Sequence, residues 1–409
     1  MTEKRKKKIL FIGGGIETLP GIILAKSQGL EVLVSDRDSK AVCVNQADHF
    51  IEASTYDIAK TIAEINSFNE SNGAIDGVIS LATDVPLTVA SVAKAFNLPG
   101  IPVESAQISS DKLLMKDLFK KNNLKIPWYS AVDNLEQLIA IRRKQIGDLV
   151  LKPVDSRGGR GVLLITKHTD LAWAFNTSMQ YSQKKCLLVE EYLPGPQVST
   201  ESLIIDGVPY TVGFSDRNYS RLSQFEPHII EDGGDLPSKL SLKQQEKIKR
   251  SVEKAAEVIK IRDGVIKGDM VLFNNDGYII EVAPRLSGGY FCSHEIPLNT
   301  GVNFLNAALK IALGEKVEKK ELVPKINNHV CQRYIFPRNG VVTNIEVPSW
   351  IKRHKNIKFW QIRLRIGDKI EKIDSHPARA GLVIATGITR LKARDLAEKA
   401  IQEIRITIE

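Results

Sequence analysis

Two acidic residues, Asp269 and Glu281, stand twelve positions apart in the segment 268–285, which reads as two short strands joined by a tight Asn-Asp-Gly turn. Whether the two carboxylates meet depends on that turn. A two-residue loop would put them on opposite faces, whereas a three-residue loop with Gly277 in the left-handed conformation puts both on one face. We predict the three-residue loop, in which Asp269 lies opposite Ala283 and the acids are diagonal neighbours about 7–8 Å apart. Carboxylates so placed can bridge a hard cation such as Mg²⁺.

The alternative is a surface hairpin whose acids are simply solvated. Apolar residues alternate with the acids along both strands, at Met270, Leu272, Ile280 and Val282. Because successive side chains of a strand point to opposite faces, these residues predict a packed face behind the acids. The face that carries the acids, where Arg285 is also expected, is therefore either exposed or functional.

A glycine-rich loop follows the strand that ends at Lys152. Three glycines, Gly158, Gly159 and Gly161, lie within four positions between two apolar strands. Such a loop is flexible, and its backbone N–H groups can close over phosphate oxygens. Lys152 would add a positive charge at the same phosphates. An ordinary loop that uses glycines for turning is the alternative, and the Gly-Lys-Ser/Thr sequence of a Walker loop is absent.

The strand at 187–193 ends in a Glu-Glu-Tyr-Leu sequence and is followed by Pro-Gly-Pro. This pattern is typical of a linker between two lobes. The backbone of Glu191 and Leu193 could contact the edge of an adenine, while the carboxylate of Glu190 accepts a hydrogen bond from the exocyclic amine. Taken alone the signal is weak, and an ordinary strand end is the simpler interpretation.

Residues 7–107 alternate strands with helices through short connections, which predicts a parallel α/β layout. A glycine turn at 13–15 follows the first strand, and Asp36 ends the second, as in dinucleotide-binding folds. The GxGxxG fingerprint, however, is broken by Thr18. NAD binding, a glycine turn that faces substrate, and a purely structural turn all stay open.

Length and composition limit the class of protein. At 409 residues the chain should fold into two or three domains, and no apolar run reaches the roughly 18–20 residues of a membrane span. Four scattered cysteines without a CxxC pair favour reduced thiols in the cytoplasm and argue against a zinc site. The net charge of +9 has no concentrated basic stripe beyond 4–8, so we predict neither nucleic-acid binding nor membrane association.

The order of these motifs resembles the ATP-grasp superfamily. Along the chain come a helix that opens at Asp111 and Lys112, the strand that ends in Lys152, the glycine loop, the Glu-Glu-x-Leu linker, the acidic strand pair and Arg285. The carbamoyl phosphate synthetase large-subunit halves, biotin carboxylase and the amino-acid (carboxylate-amine) ligases have the most similar patterns. The segment that begins at His376 resembles the closing strand and helix of these enzymes.

The resemblance implies a mixed α/β and α+β fold, the ATP-grasp fold, in three parts. An N-terminal Rossmann-like parallel α/β domain would cover residues 1–108. A central ATP-grasp domain of two α+β lobes would cover 109–316, with the flap lobe at about 127–195. A small C-terminal α+β domain would cover 317–409.

The resemblance also implies roles for individual residues. Lys112 and Lys152 would hold the phosphates of ATP, and Asp269 and Glu281 would hold Mg²⁺, for which Mn²⁺ is a substitute. Arg285 would act in catalysis together with Lys152 by steadying the acyl phosphate or its tetrahedral successor. The remaining implied contacts are the flap over the phosphates (Gly158, Gly159, Gly161), the adenine site (Glu190, Glu191, Leu193) and the loop for the substrate carboxylate (Ser287, Gly288, Gly289).

Two positions depart from the family pattern. Gln197 stands where the family usually has a glutamate that binds the ribose hydroxyls. Glutamine can still hydrogen-bond a ribose, and Glu201 is close enough in sequence to share that task. Ala283 stands where an asparagine metal ligand is usual. Whether one or two Mg²⁺ ions bind is therefore open.

The implied reaction begins when Mg-ATP phosphorylates a small carboxylate, for example an amino acid. An amine then attacks the acyl phosphate and gives an amide, ADP and phosphate. Arg217, His228 and Asp235 fall in the insertion that faces substrate in related ligases. Both partners are small molecules, and a homodimer is one expectation because dimers are common in related folds. The alternatives are a bicarbonate-activating carboxylase or carbamoyl-phosphate-type enzyme, and a non-catalytic ATP-binding protein.

Overall fold

The computed structural model describes residues 5–409. Its N-terminal region alternates strands and helices: β1 (Lys8–Ile12), α1 (Leu19–Ser27), β2 (Glu31–Asp36), β3 (His49–Glu52), α2 (Ile58–Asn72), β4 (Gly77–Ile79), α3 (Pro86–Ala95) and α4 (Val103–Ser109). The strands form a parallel sheet in the order β3-β2-β1-β4. Every residue of β1 is buried, as expected for a parallel strand covered on both faces. The predicted parallel α/β layout is confirmed.

An antiparallel sheet forms the next lobe. Its elements are α5 (Lys112–Lys121), β5 (Tyr129–Val132), α6 (Leu135–Lys144), β6 (Leu149–Pro153), β7 (Leu163–Ile165), α7 (Leu171–Met179) and β8 (Leu187–Glu191). The strand order is β5-β8-β6-β7. Apolar side chains from these strands pack against α6 and α7. The glycine-rich loop connects β6 to β7, so this lobe determines where that loop lies.

The largest sheet is built from the second half of the chain. The elements are β9 (Gln197–Ile205), β10 (Val208–Asn218), α8 (Leu222–Phe225), β11 (Gly233–Leu236), α9 (Leu242–Val258), β12 (Gly264–Phe273), β13 (Asp276–Ala283), α10 (Ile296–Thr300), α11 (Phe304–Ala312), β14 (His329–Ile335), β15 (Gly340–Glu346), α12 (Ser349–Arg353), β16 (Ile357–Ile362), β17 (Lys369–Ile370), β18 (Gly381–Gly387), α13 (Arg390–Glu403) and β19 (Arg405–Ile408). Eight of the strands pair in the order β13-β12-β9-β10-β11-β14-β18-β16.

This eight-stranded sheet crosses position 317, where we predicted a domain boundary. Strand β11 pairs with β14, and β14 pairs with β18, so the C-terminal strands extend the central sheet. A separate three-stranded sheet has the order β17-β15-β19. The mixture of one parallel and several antiparallel sheets confirms the predicted fold class. Among residues 5–409, no helix combines the length and the apolar character that crossing a membrane requires.

The hairpin β12–β13 turns earlier than predicted. Its loop consists of Asn274 and Asn275, whose φ angles of 49° and 61° are those of a two-residue type I′ turn. Gly277 instead lies within β13, opposite Leu272. A Cβ atom at Gly277 would come within 2.9 Å of the α9 backbone at Ile248. The predicted three-residue loop is therefore wrong, and this glycine permits close packing of α9 on the strand.

The observed register nevertheless brings the two acids together. Asp269 pairs directly with Glu281, and Ala283 pairs with Lys267 instead of Asp269. A bulge lies between the acid pair and the turn, and it compensates for the shorter loop. Directly opposed residues have Cβ atoms about 4.5–5.5 Å apart, which is closer than the diagonal arrangement that we predicted.

Candidate active site

A cavity of about 660 Å³ is enclosed by the glycine-rich loop, the end of β8, the acidic face of β12–β13 and the loop after β4. Most residues that the sequence predicted for the site line this cavity. They are Lys112, Lys152, Gly158, Gly159, Glu190, Glu191, Leu193, Gln197, Arg217, Asp269, Glu281, Arg285, Ser287, Gly288 and Gly289. Four predicted residues, Gly161, Glu201, His228 and Asp235, lie outside its wall.

The glycine-rich loop forms one wall through an unusual backbone conformation. Gly158, Gly159 and Gly161 have φ angles of +67°, +74° and +71°, a region that other residues rarely adopt. A Cβ atom at Gly161 would also come within 3.0 Å of Pro153. Gly161 therefore shapes the loop from outside the cavity, whereas Gly158 and Gly159 lie in its wall. Successive left-handed glycines suit a loop whose N–H groups bind anions.

Lys112 connects this loop to the acidic hairpin. Its Nζ donates a hydrogen bond to the carbonyl of Ser156 (2.7 Å) and lies 3.2 Å from Glu281 Oε1. Lys112 is the first residue of α5, and the side chain of Asp111 caps that helix. The cap fixes the backbone of Lys112, so its positive charge is held between the loop and the hairpin.

Glu190 is held between two buried lysines. The Nζ of Lys116, a residue only 1% exposed, lies 2.8 Å from one carboxylate oxygen, and Lys152 contacts the other. Burial opposes the ionisation of Glu190, but the charges of Lys116 and Lys152 outweigh it and lower the pKa of Glu190. Its predicted role as an adenine acceptor stays a prediction, since both oxygens have protein partners. Lys116 was missed, although it follows Lys112 by one helical turn on the same face.

Asp269 and Glu281 project into the cavity from paired positions. Asp269 lies 2.8 Å from Arg217 and 2.6 Å from Lys267. Burial raises the pKa of Asp269, but the two cations outweigh burial and hold it well below its usual range. Ionised carboxylates are the ligands that Mg²⁺ prefers. The pair could therefore supply two carboxylate ligands to a Mg²⁺ ion; within residues 5–409 no cluster of three or more metal-ligating side chains occurs.

Arg285 links the hairpin to the N-terminal sheet. Its Nη2 lies 3.2 Å from Oδ2 of Asp84, in the loop after β4. Burial raises the pKa of Asp84, but the charges of Arg285 and Arg157 outweigh burial and lower it. Asp84 was not predicted, because no local motif marks it and it is 201 positions from Arg285.

The loop 287–289 rests on two carboxylates. The first is Glu201, whose Oε1 accepts a hydrogen bond from the backbone N–H of Ser287 (2.8 Å) and whose Oε2 contacts the Ser287 hydroxyl. Burial raises the pKa of Glu201 to about 7, against the effect of these hydrogen bonds. The predicted ribose contact does not fit this placement, because Glu201 is fully buried beneath the loop. Gln197, by contrast, lines the cavity.

The second carboxylate under this loop is Glu17. It accepts a hydrogen bond from the backbone N–H of Gly289 (2.7 Å) and is ion-paired with Arg363. Glu17 lies just after β1 and Arg363 just after β16, so distant parts of the chain meet here. Neither residue was predicted, since nothing in their local sequence indicates a site.

His376 also lines the cavity without having been assigned a role. Its backbone N–H donates to the carbonyl of Gly158 (3.0 Å), and its ring lies against Gly159. Burial lowers the pKa of His376 well below its usual range, and the charge of Arg379 adds to this effect. The histidine is therefore neutral and joins the C-terminal region to the glycine-rich loop.

His228 and Asp235 do not fit their predicted places in a substrate pocket. His228 is buried against Trp173, with ring centroids 6.2 Å apart, and burial lowers its pKa. Its backbone pairs with Leu163, so it connects the β5–β8 lobe to the rest of the molecule. Asp235 lies 3.4 Å from Arg333, away from the cavity.

Two family models match the chain. Residues 109–289 match the ATP-grasp domain, and residues 333–409 match the L-amino acid ligase C-terminal domain 2. A solved L-amino acid ligase from Bacillus licheniformis has a TM-score of 0.83 at 21% identity, over 100% of both chains. The biotin carboxylase of Campylobacter jejuni, in a complex with β,γ-ATP, has a TM-score of 0.74 at 19% identity, over 99% of this chain and 92% of that one.

Curated proteins match at a similar level of identity. An uncharacterized protein of Sinorhizobium fredii is 22% identical over 362 residues, which are 87% of this chain and 73% of that protein. The carbamoyl phosphate synthase large chain of Vibrio cholerae is 22% identical over 340 residues, which are 78% of this chain and 30% of that one. This chain thus spans less than a third of the synthase.

The matched domain and the fold define the class: residues 109–289 form an ATP-grasp domain, and the whole chain has the fold of the solved L-amino acid ligase. Residues 333–409 add the C-terminal domain 2 of the L-amino acid ligases. The resemblance that the motifs predicted is confirmed. ATP and Mg²⁺ serve this family, and a related biotin carboxylase domain from Hydrogenobacter thermophilus has been solved with MgADP.

Proposed function

We propose that this chain is an ATP-dependent carboxylate–amine ligase that activates the carboxylate of an amino acid. The observation that carries the proposal is the meeting of three elements in one cavity. These are a left-handed glycine loop with two lysines, a directly paired Asp269 and Glu281, and Arg285 beside them. The C-terminal domain shared with the L-amino acid ligases favours an amino acid over other acids.

Binding of ATP would use the lobe that carries the glycine loop. Lys112 and Lys152 would neutralise phosphate charge, while Gly158 and Gly159 close over the phosphates. The backbone of Glu191 and Leu193 would contact the adenine, and Gln197 the ribose. Mg²⁺ held by the acid pair would neutralise charge on the transferred phosphoryl group.

The transfer step itself needs little covalent chemistry from the protein. The substrate carboxylate would attack the γ-phosphorus and form an acyl phosphate, with ADP as the leaving group. An amine would then attack the acyl carbon and release phosphate. Arg285 would stabilise the oxyanion of that second step, since its guanidinium is fixed by Asp84. Closure of the glycine loop would keep water away from the acyl phosphate.

The assembly and the setting of the enzyme are part of the same proposal. We place it in the cytoplasm, because its four cysteines are free thiols. Mn²⁺ should replace Mg²⁺, since both are hard cations that accept carboxylate ligands. A homodimer is the expected assembly, as in the related biotin carboxylase domain dimer of Hydrogenobacter thermophilus. The predicted domain limits at 108 and 316 stand as proposals.

The decisive experiment measures ADP release with Mg²⁺ over a library of amino acids and amines. We expect release that depends on both substrates, and a loss of about 10²-fold or more in Glu281→Gln, because the metal site loses half of its charge. The matched control is Glu253→Gln, an exposed glutamate on α9, which should behave as the wild type.

Two other results would overturn the proposal. A strict requirement for bicarbonate would identify a carboxylase of the same fold. Tight ATP binding without turnover under any mixture would identify a binding protein. Equal turnover in wild type and Glu281→Gln would remove the metal assignment while leaving the fold unaffected.

A further inference from the structure

One carboxylate in the cavity has no partner in the proposed mechanism. Glu295 ends a π-helical turn, Phe291–Glu295, that packs over the central sheet. The residue is only 3% exposed, yet it lines the cavity. Within residues 5–409 its side chain makes no ion pair and no hydrogen bond. Apart from the exposed Glu191, the other acids that line the cavity are ion-paired.

Arg333, whose charge acts on Glu295, and Arg217, which also lines the cavity, both have other partners. Arg333 lies 3.4 Å from Asp235 and 3.3 Å from Glu398. Arg217 lies 2.6 Å from Glu231 and 2.8 Å from Asp269. Burial raises the pKa of Glu295 well above its usual range; the charges of Glu231 and Asp235 add to the shift, and Arg333 only partly opposes it. The surroundings of Glu295 therefore have an excess of negative charge.

A glycine keeps the space beside this carboxylate open. Gly234 lies on β11, and a Cβ atom there would come within 3.5 Å of Glu295 Oε2 and 2.8 Å of Ser215 Oγ. Ser215 and Gly234 both line the cavity. The free carboxylate and the hydroxyl thus border one small space, which a larger residue at position 234 would fill.

We infer that Glu295, Ser215 and the open space over Gly234 form a subsite for an ammonium group of the substrate. A buried carboxylate without a counter-ion is costly, so Glu295 holds a proton while the site is empty. An incoming ammonium would supply the opposite charge and hydrogen-bond donors, and the proton of Glu295 would leave to solvent. Ser215 would accept one of those hydrogen bonds. The inference rests on the proposed function and specifies which end of the amino acid this part of the cavity binds.

Two ammonium groups could occupy the subsite: the α-ammonium of any amino acid, or the side-chain ammonium of a basic one. Three probes of equal chain length separate them. L-Lysine has both groups, L-norleucine has only the α-ammonium, and hexanoate has neither. Binding is measured by calorimetry and turnover by ADP release, in wild type, Glu295→Gln and Gly234→Ala.

If the α-ammonium binds here, Glu295→Gln weakens L-lysine and L-norleucine about tenfold or more and leaves hexanoate unchanged. If the side-chain ammonium binds here, only L-lysine is weakened. Gly234→Ala, which keeps the acid but fills the space, should give the same pattern. Equal effects on all three probes, or no effect on either amino acid, would overturn the inference.

The calorimetric measurement keeps this inference separate from the proposed function. Amino acids that bind without turnover, and bind less well to Glu295→Gln, would support the subsite while refuting the ligase. Turnover that depends on Glu281 but not on Glu295 would support the ligase while refuting the subsite. Thermal unfolding of each variant shows whether a loss reflects the fold instead.

Discussion

The two ends of the cavity are built in different ways. The end formed by the glycine-rich loop, Lys152 and the acidic hairpin is built from short motifs, within each of which the residues are close together in sequence and fixed by local geometry. The opposite end joins Glu17 and Arg363, which come from the first and last parts of the chain. The first end shows the chemistry of nucleotide binding in its sequence. The residues of the second end have no local motif, and only folding brings them together.

The two ends of the cavity are expected to differ in function: the first binds the nucleotide, which related enzymes have in common, and the second determines which substrate is bound. Backbone conformation and paired charges at the first end suit any phosphate, so they carry little information about the acid or the amine. At the second end, ion pairs join distant segments of the chain, so a single substitution can alter the shape and charge of the cavity there. We therefore expect substitutions at the first end to affect folding or all turnover, and substitutions at the second end to affect the choice of substrate.

The largest effect is expected at Glu190, within the first end. Glu190→Gln would leave Lys116 and Lys152 buried without a counter-ion, and should lower the free energy of unfolding by about 3–5 kcal/mol. Urea denaturation measures this loss. Adding Lys116→Met should restore part of it, because one uncompensated charge is then removed. A loss as small as that in the surface variant Glu253→Gln would show that the ion pairs do not stabilise this lobe.

Glu201, beneath the loop that joins the two ends, should give a pH-dependent effect. Its folded pKa of about 7 is above the ordinary value of 4.5. The folded state therefore binds the proton more tightly, and stability falls as pH rises from about 4.5 through 7. Glu201→Gln removes this loss, which amounts to about 3 kcal/mol at roughly 1.4 kcal/mol per pKa unit. Parallel stability curves for wild type and variant between pH 4.5 and 8 would contradict the assignment.

The smallest effect is expected at Arg363, in the second end. Arg363→Met would release Glu17, which holds the backbone N–H of Gly289 in the loop proposed to receive the substrate carboxylate. We expect KM for the acid to rise about tenfold, or about 1.4 kcal/mol, while KM for ATP stays constant. Steady-state kinetics with each substrate varied in turn measures both values. Arg365→Met, at an exposed position nearby, is the control.

The hairpin shows how far sequence reasoning extends. The sequence predicted a shared face for Asp269 and Glu281, and that shared face is observed. Their role as Mg²⁺ ligands stays a prediction. The turn was wrong because the sequence Asn-Asn-Asp-Gly allows a left-handed loop at either of two places, and packing of α9 on Gly277 decided between them. A bulge then restored the face, and no pattern in the sequence indicates that bulge.

Residues with long-range partners could not be predicted in the same way. Glu17 contacts Arg363 across 346 positions, and Arg285 contacts Asp84 across 201. Glu201 and His228 have residue types that suit a site, but the fold buries both beneath other elements. Lys116 is the exception, since its spacing from Lys112 on one helix was visible from the start.

The eight-stranded sheet has a consequence for protein engineering. Because β11 is bonded to β14 across the predicted boundary at 317, the C-terminal region is not a detachable module. A chain shortened before β14 would expose β11 as an open edge, with unpaired backbone groups that favour aggregation. Chimaeras that exchange substrate preference between relatives should therefore be joined within loops. Strands β14, β18 and β16 should be transferred together.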